Sequence, residues 1–400
     1  MISINSNKFQ STTVNFIIKT SFFFIISYLF FQSHEDGEHG LIFKFPDKLF
    51  LLVGIFGLAF TVIKFSKKLN FFDISTLTLS FYSFLVTLIN IPLVNYDSDL
   101  FLKYQPVIHM SYHAIAILML GVTTCYLNKN KFAGINPLSS LNNLFALISL
   151  TFLISYLLFF LGIDIDWGLD HSYGFPRIQG FMIEPSYSGY VFFMLACLAG
   201  SRYAKLIYLT CAVTSFSLSF YIGLLVYLLI IHPKKIIIAL VIGMLLVSQI
   251  NFGENFFISK FLDVLDFLKY GEINSGNATR MVTAFEALKL NYSWFGHGLG
   301  STLYVVGSDS TIIPNLLLLA YEIGFIGLLC FLFFMAMLFR YQSTDNLALL
   351  LCSFTYWFIN GGSIHLFWVA LLLITANVIN AKEIASHQAK RTNLFSIKNT

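Results

Sequence analysis

Apolar runs of roughly membrane-crossing length recur along this chain, near 14–31, 48–64, 72–94, 106–127, 144–162, 184–200, 236–250, 313–339, 346–360 and 363–380. A run of about 18 residues or more is what an α-helix needs to cross a hydrocarbon core of roughly 30 Å. Lipid offers backbone N–H and C=O groups no water, so spanning segments satisfy those groups internally, as helices. With 400 residues, 57% hydrophobic and only 11% charged, the chain is too apolar for a soluble domain of its size. The predicted fold is therefore all-α: a polytopic membrane protein forming one integral membrane domain.

Other features exclude rather than assign. The five cysteines, Cys125, Cys197, Cys211, Cys330 and Cys352, each lie inside an apolar run, with no spacing for a metal or a redox pair. They read as buried, inert thiols. The net charge of +4 comes from scattered short loops, too weak a field for nucleic-acid binding. No carboxylate cluster suits a metal, so chemistry without metal or cofactor is expected.

Lysine and arginine in short loops set orientation. Lys8, then Lys64, Lys67 and Lys68, then Lys129 and Lys131, then Arg202 and Lys205 mark one side. The alternate loops carry Glu35, Asp36 and Glu38, then Asp97 and Asp99, then Asp164, Asp166 and Asp170. The expected N-terminus is cytoplasmic. The stretch 204–231 has basic flanks on both sides, which both belong in the cytoplasm. Its 28 residues allow about 14 per leg, too few for two full crossings. Two short helices meeting at "TSFSLS" (214–219) fit the charges, with serines 215, 217 and 219 reachable by water from outside; the alternative is one tilted helix. Counting the pair as two gives about twelve spans, with both termini inside.

Most loops are short, but 251–312 is long enough to carry structure or function of its own. Within it, 254–270 has helical apolar spacing, suited to the outer membrane surface or to packing on other helices. A second helix is expected over 279–290, with Thr279 as N-cap and Arg280 in its first turn. A cation there hints at a nearby anion. "WFGHGLGS" (294–301) follows, a glycine-rich turn whose amides suit close approach to an oxygen-rich ligand. Then "PNLLLLAYEIGFIGLL" (314–329) opens a span that holds Glu322 two to three turns in. A carboxylate at that depth faces the bundle interior, in a functional or a structural role.

The other outer stretch with concentrated polar chemistry is "FPRIQGFMIEPSYSGY", residues 175–190. It places Arg177, Gly180, Glu184 and Tyr187 at the mouth of an apolar run. Trp167 lies just before it and reads as an interfacial anchor.

In order, "RIQGFMIEPSYSGY", "TSFSLSFYIGLL", "TRMVTAFEAL…WFGHGLGS" and "NLLLLAYEIGFIGLL" resemble the O-antigen polymerase and ligase superfamily over roughly 140–380. Within it the chain looks like the polymerase, Wzy-type branch. Ligases usually carry histidine before asparagine ahead of the span after the large loop; here Pro314 precedes Asn315. Polymerases are described with an arginine and a glycine eleven residues on in each of two outer loops. Here Ser188 follows Arg177 at that spacing, with Gly189 next, and Asn291 follows Arg280.

The resemblance implies a GT-C-like fold in the bacterial inner membrane, with its site on the periplasmic face. It implies polymerisation of undecaprenyl-pyrophosphate-linked repeat units into O-antigen or capsule-type polysaccharide. Partners would be the lipid-linked glycan, membrane lipid, a chain-length regulator and a flippase. Arg177 and Arg280 are then the expected pyrophosphate clamps. Glu184 is expected to act as base for the acceptor hydroxyl, to hold Arg177, or to bind sugar. Gly180, Tyr187, His297 and Glu322 are the expected substrate contacts. The alternatives are a ligase transferring glycan to lipid A core, or a flippase or transporter.

Overall fold

The computed structural model describes residues 6–30, 47–60, 70–93, 106–129, 137–163, 165, 167–171, 176–182, 185–236, 289–302, 315–341, 344–360 and 368–374. These are mostly helical: α1 Ser6–Phe30, α2 Asp47–Phe60, α3 Phe71–Asn90, α4 Pro106–Lys129, α5 Pro137–Phe160, α6 Pro185–Leu198, α7 Arg202–Thr214, α8 Leu218–Ile231, α9 Asn315–Tyr341 and α10 Thr344–Asn360. Each lies on an expected run, and residues 368–374 are helical as well. Among the described residues, Phe71–Asn90, Leu141–Phe160 and Leu316–Arg340 are long and apolar enough to cross a membrane. Apart from Ile236, Lys289 and Leu290, the run at 236–250 and the expected helices at 254–270 and 279–290 fall outside the described residues, as do most charged loops that set orientation.

The chain divides into two compact units. The first takes in 1–80, 116–217 and 365–400; the second takes in 81–115 and 218–364.

In the first unit, α1 packs along α2, and small residues make the approach close. A Cβ built on Gly57 would stand 2.3 Å from Ser21 Oγ, and one on Gly54 would stand 2.8 Å from the Ser21 carbonyl oxygen. Small residues let membrane helices approach in this way, where dispersion rather than hydrophobicity drives packing. Gly121 of α4 plays the same part against Ser80 of α3. The start of α3 is closed by a reciprocal cap. The Asp73 amide donates to Asn70 Oδ1 at 2.7 Å and the Asn70 amide donates to Asp73 Oδ2 at 3.0 Å. Phe30, Phe145, Phe152, Phe192 and Tyr208 are fully buried here. They bring α1, α5, α6 and α7 together, with the Phe30 and Phe145 ring centroids 4.7 Å apart.

In the second unit, α8 lies against α10, and α10 against α9. A Cβ on Gly223 would stand 3.1 Å from Cys352 Sγ, so α8 approaches α10 closely at this glycine.

The stretch 204–231 is two short helices. The first ends at Thr214, Phe216 takes φ 46°, and the second begins at Leu218. A positive φ at phenylalanine is uncommon and breaks the helix. The expected water access is not what the described serines show: Ser215 and Ser217 are buried. Ser215 Oγ donates back to the Ala212 carbonyl at 2.7 Å. Irregular backbone away from water needs protein around it, and here protein supplies the cover.

Candidate functional site

In the first unit, the polar stretch forms a two-strand ladder, β1 Leu169–Asp170 against β2 Arg177–Ile178. The strands run antiparallel, with Leu169 opposite Ile178 and Asp170 opposite Arg177. That register makes Asp170 and Arg177 a direct cross-strand pair, the arrangement in which opposite charges attract most. Arg177 Nε donates to Asp170 Oδ2 at 3.0 Å, and Nη2 donates to the same oxygen. The two side chains are 12% and 18% exposed, so the pair is largely withdrawn from solvent.

Two glycines seat this ladder. The Gln179 and Gly180 amides both donate to the Gly168 carbonyl at 2.9 Å. Gly168 has φ 71° and Gly180 φ 65°, a region that strains any residue with a Cβ. Both press on Phe152: a Cβ on Gly168 would stand 2.6 Å from that ring, and one on Gly180 3.0 Å. Gly180 therefore positions the turn. Gln179 closes it, its Nε2 donating to the Met182 carbonyl at 2.7 Å. Ser188 of α6 donates to the Gln179 carbonyl.

Trp167 is 44% exposed and held at both ends. Its Nε1 donates to Thr151 Oγ1 at 3.0 Å, and its ring meets Phe181 edge to face at 5.0 Å. Tyr187 is only 3% exposed, so its ring lies within the packing of the unit rather than on an open face. Glu184 lies outside the described residues, as does Arg280.

In the second unit, the glycine turn folds onto a break in α9. Gly324 takes φ 70° and ψ −177°, which interrupts the helix. A break leaves carbonyls on one side and amides on the other without helical partners. Residues 293–298 supply the missing partners. The amides of His297 and Gly298 donate to the carbonyls of Tyr321 (3.1 Å) and Glu322 (2.8 Å). The amides of Phe325 and Ile326 donate to the carbonyls of Ser293 (3.3 Å) and Trp294 (3.1 Å).

The Glu322 side chain extends this attachment. Its Oε1 accepts from the Gly300 amide at 2.9 Å and from the Thr302 hydroxyl at 2.7 Å. Elsewhere the Leu299 amide donates to Thr87 Oγ1 at 2.9 Å, and the Tyr82 hydroxyl donates to the Phe295 carbonyl at 3.1 Å. The motif is thus tied to both α3 and α9.

His297 stacks on Tyr321, with ring centroids 4.4 Å apart and an interplanar angle of 20°. Its Nε2 lies 2.8 Å from the Asn291 carbonyl. A carbonyl only accepts, so Nε2 donates in this contact. His297 and Glu322 are therefore brought together by one loop. Tyr292 packs edge to face on Tyr321 at 6.2 Å, and partial burial raises its phenol above the usual value.

Two partners carry no motif in the sequence. Asp170 is one of several acidic residues in its loop, and Thr302 lies outside every motif. Opposite charges seven residues apart are the one sequence signal that points to Asp170. Nothing local marks Thr302.

No protein-family model, no curated protein and no solved structure matches this chain.

Proposed function

We propose that the chain is a multi-pass membrane glycosyltransferase that polymerises oligosaccharide repeat units carried on undecaprenyl pyrophosphate. Its site would lie on the periplasmic face of the bacterial inner membrane, with both termini cytoplasmic. The reading rests on the ordered motifs of the sequence. The structural observation that carries it furthest is the Glu322 carboxylate accepting from Gly300 and Thr302. It joins "GHGLGS" to "AYEIGF", two of the segments on which the resemblance stands, in one folded feature.

In the reaction, an acceptor sugar hydroxyl attacks the donor's anomeric carbon. The new glycosidic bond forms as the bond to lipid pyrophosphate breaks. The hydroxyl proton passes to a base, and the pyrophosphate departs as an anion. Fixed cations aimed at that developing charge are a large catalytic term. Arg177 and Arg280 fill that role in this reading. Asp170 orients Arg177 through Nε and Nη2 of a guanidinium that has five N–H donors. Glu184 is the candidate base or sugar ligand. His297 and Glu322 belong to the second unit's loop, with Glu322 engaged as its anchor.

A transporter is the second reading, because broken spanning helices recur in transporters, where the freed backbone groups bind substrate. Here the Tyr321 and Glu322 carbonyls and the Phe325 and Ile326 amides are engaged by the chain's own loop, which favours a scaffold over a transport site.

Purified protein in liposomes with lipid-linked repeat units separates the readings. A polymerase produces a ladder of lengthened lipid-linked chains. Transfer to lipid A core without lengthening would make it a ligase. Movement between leaflets with neither product would make it a flippase. Orientation is tested separately by a cytoplasm-dependent reporter near Ser275, which stays silent if 251–312 is outside.

A further inference from the structure

The described part of the glycine turn carries two large rings that the fold leaves uncovered. Trp294 is 68% exposed and Phe295 66%. They are not isolated on a polar surface. The Trp294 ring lies 5.6 Å from Phe325, and Phe325 begins an apolar stripe on α9. Phe325, Leu329, Leu332 and Phe333 are all exposed at helical spacing. On a helix long and apolar enough to cross a membrane, that stripe is the lipid-facing side. The two rings continue it past the helix break.

Helix length gives their depth. Arg340 closes the apolar window Leu316–Arg340, and its charge belongs at one edge of the hydrocarbon. Fifteen residue steps lead back to Phe325, about 22 Å at about 1.5 Å each. The hydrocarbon is roughly 30 Å thick. Phe325 therefore falls about 8 Å short of the opposite edge, or a few Å if Arg340 reaches outward along its stem. Tilt of the helix only deepens it. Backbone at that level must be satisfied by protein, and the loop does this for Tyr321, Glu322, Phe325 and Ile326.

We propose that residues 293–296 form a re-entrant corner that dips below the headgroups and sets the Trp294 and Phe295 rings among the lipid acyl chains beside Phe325. The occupant of this apolar surface is bilayer lipid. The corner fixes the depth of the glycine turn and holds His297 and Glu322 at the rim of the hydrocarbon. This inference does not depend on the chemistry proposed above.

Depth-dependent quenching of tryptophan emission tests it. The full chain is reconstituted in phosphatidylcholine brominated near the headgroup or deep in the chain, and Trp294→Phe is subtracted from the parent protein to isolate Trp294. Shallow bromines should quench the Trp294 signal several-fold more than deep ones, and aqueous iodide should leave it unchanged. Iodide quenching without bromine quenching would put the corner in water. Insensitivity to both would mean that protein covers it. Either result overturns the proposal. Phe295→Trp provides an independent gain of signal should Trp294→Phe fold poorly, and its added emission should respond in the same way.

Discussion

Gly296 and Gly324 meet backbone to backbone. A Cβ on Gly324 would stand 2.3 Å from the Gly296 nitrogen, and one on Gly296 would stand 2.4 Å from the Glu322 carbonyl oxygen. Neither neighbour is a side chain that could swing aside. Both glycines also hold positive φ, 84° and 70°.

Alanine at either position should therefore be destabilising twice over. The positive-φ backbone costs on the order of 1–3 kcal/mol, and the clash forces the loop off the helix. Gly162 is the control, since its φ is 78° but nothing lies within 4 Å of a Cβ there. Thermal unfolding in detergent should show Gly162→Ala slightly lowered, and Gly296→Ala and Gly324→Ala lowered well beyond it. Equal shifts for all three would mean that the close approach carries no energy.

The Glu322 carboxylate serves as an acceptor, which glutamine also provides. Glu322→Gln should keep the Gly300 and Thr302 bonds and unfold near the parent temperature. Glu322→Ala should lose on the order of 1–3 kcal/mol, because two donors lose their partner. If Glu322→Gln folds normally but makes no polymer, Glu322 takes part in the chemistry and the anchoring account is incomplete.

For Arg177, stability and chemistry need separating. Arg177→Ala leaves Asp170 without its cation in a largely enclosed place, at a cost on the order of 1–3 kcal/mol. It should also abolish long glycan chains. The exchange Asp170→Arg with Arg177→Asp restores an ion pair with the cation displaced. It should recover protein level without recovering polymer. Recovery of both would reduce Arg177 to a structural residue. Arg177→Lys should give shortened chains, since lysine keeps the charge but not the planar fork.

Ser217 is 3% exposed at the break between α7 and α8. A cysteine placed there should resist an impermeant thiol reagent, labelling many-fold more slowly than one placed at Tyr203, which is 82% exposed. Rapid labelling from outside would restore the water-lined tip that the sequence suggested.

The helices were legible because the signal is local. A continuous apolar run decides both that a segment is helical and roughly where it stops. The break in 204–231 was legible too, because basic flanks on both sides argue against one crossing. Burial of Ser215 and Ser217 was not, since the alternatives of water or protein around a break look identical in one segment. Asp170 and Arg177 are seven residues apart with no periodicity linking them. Only the β1–β2 register sets them opposite, and Gly168 and Gly180 pressing on Phe152 from α5 seat that ladder. The interruption of α9 is the clearest division. In the sequence, Gly324 is one more glycine in an apolar run, and a continuous helix would satisfy every backbone group there. Opening the helix becomes favourable only when Ser293, Trp294, His297 and Gly298, from elsewhere in the chain, bring two carbonyls and two amides to the exposed ends. Local apolarity is enough to say which segments become helices, but where a helix opens depends on the fold, because the hydrogen bonds that replace the broken ones come from another segment.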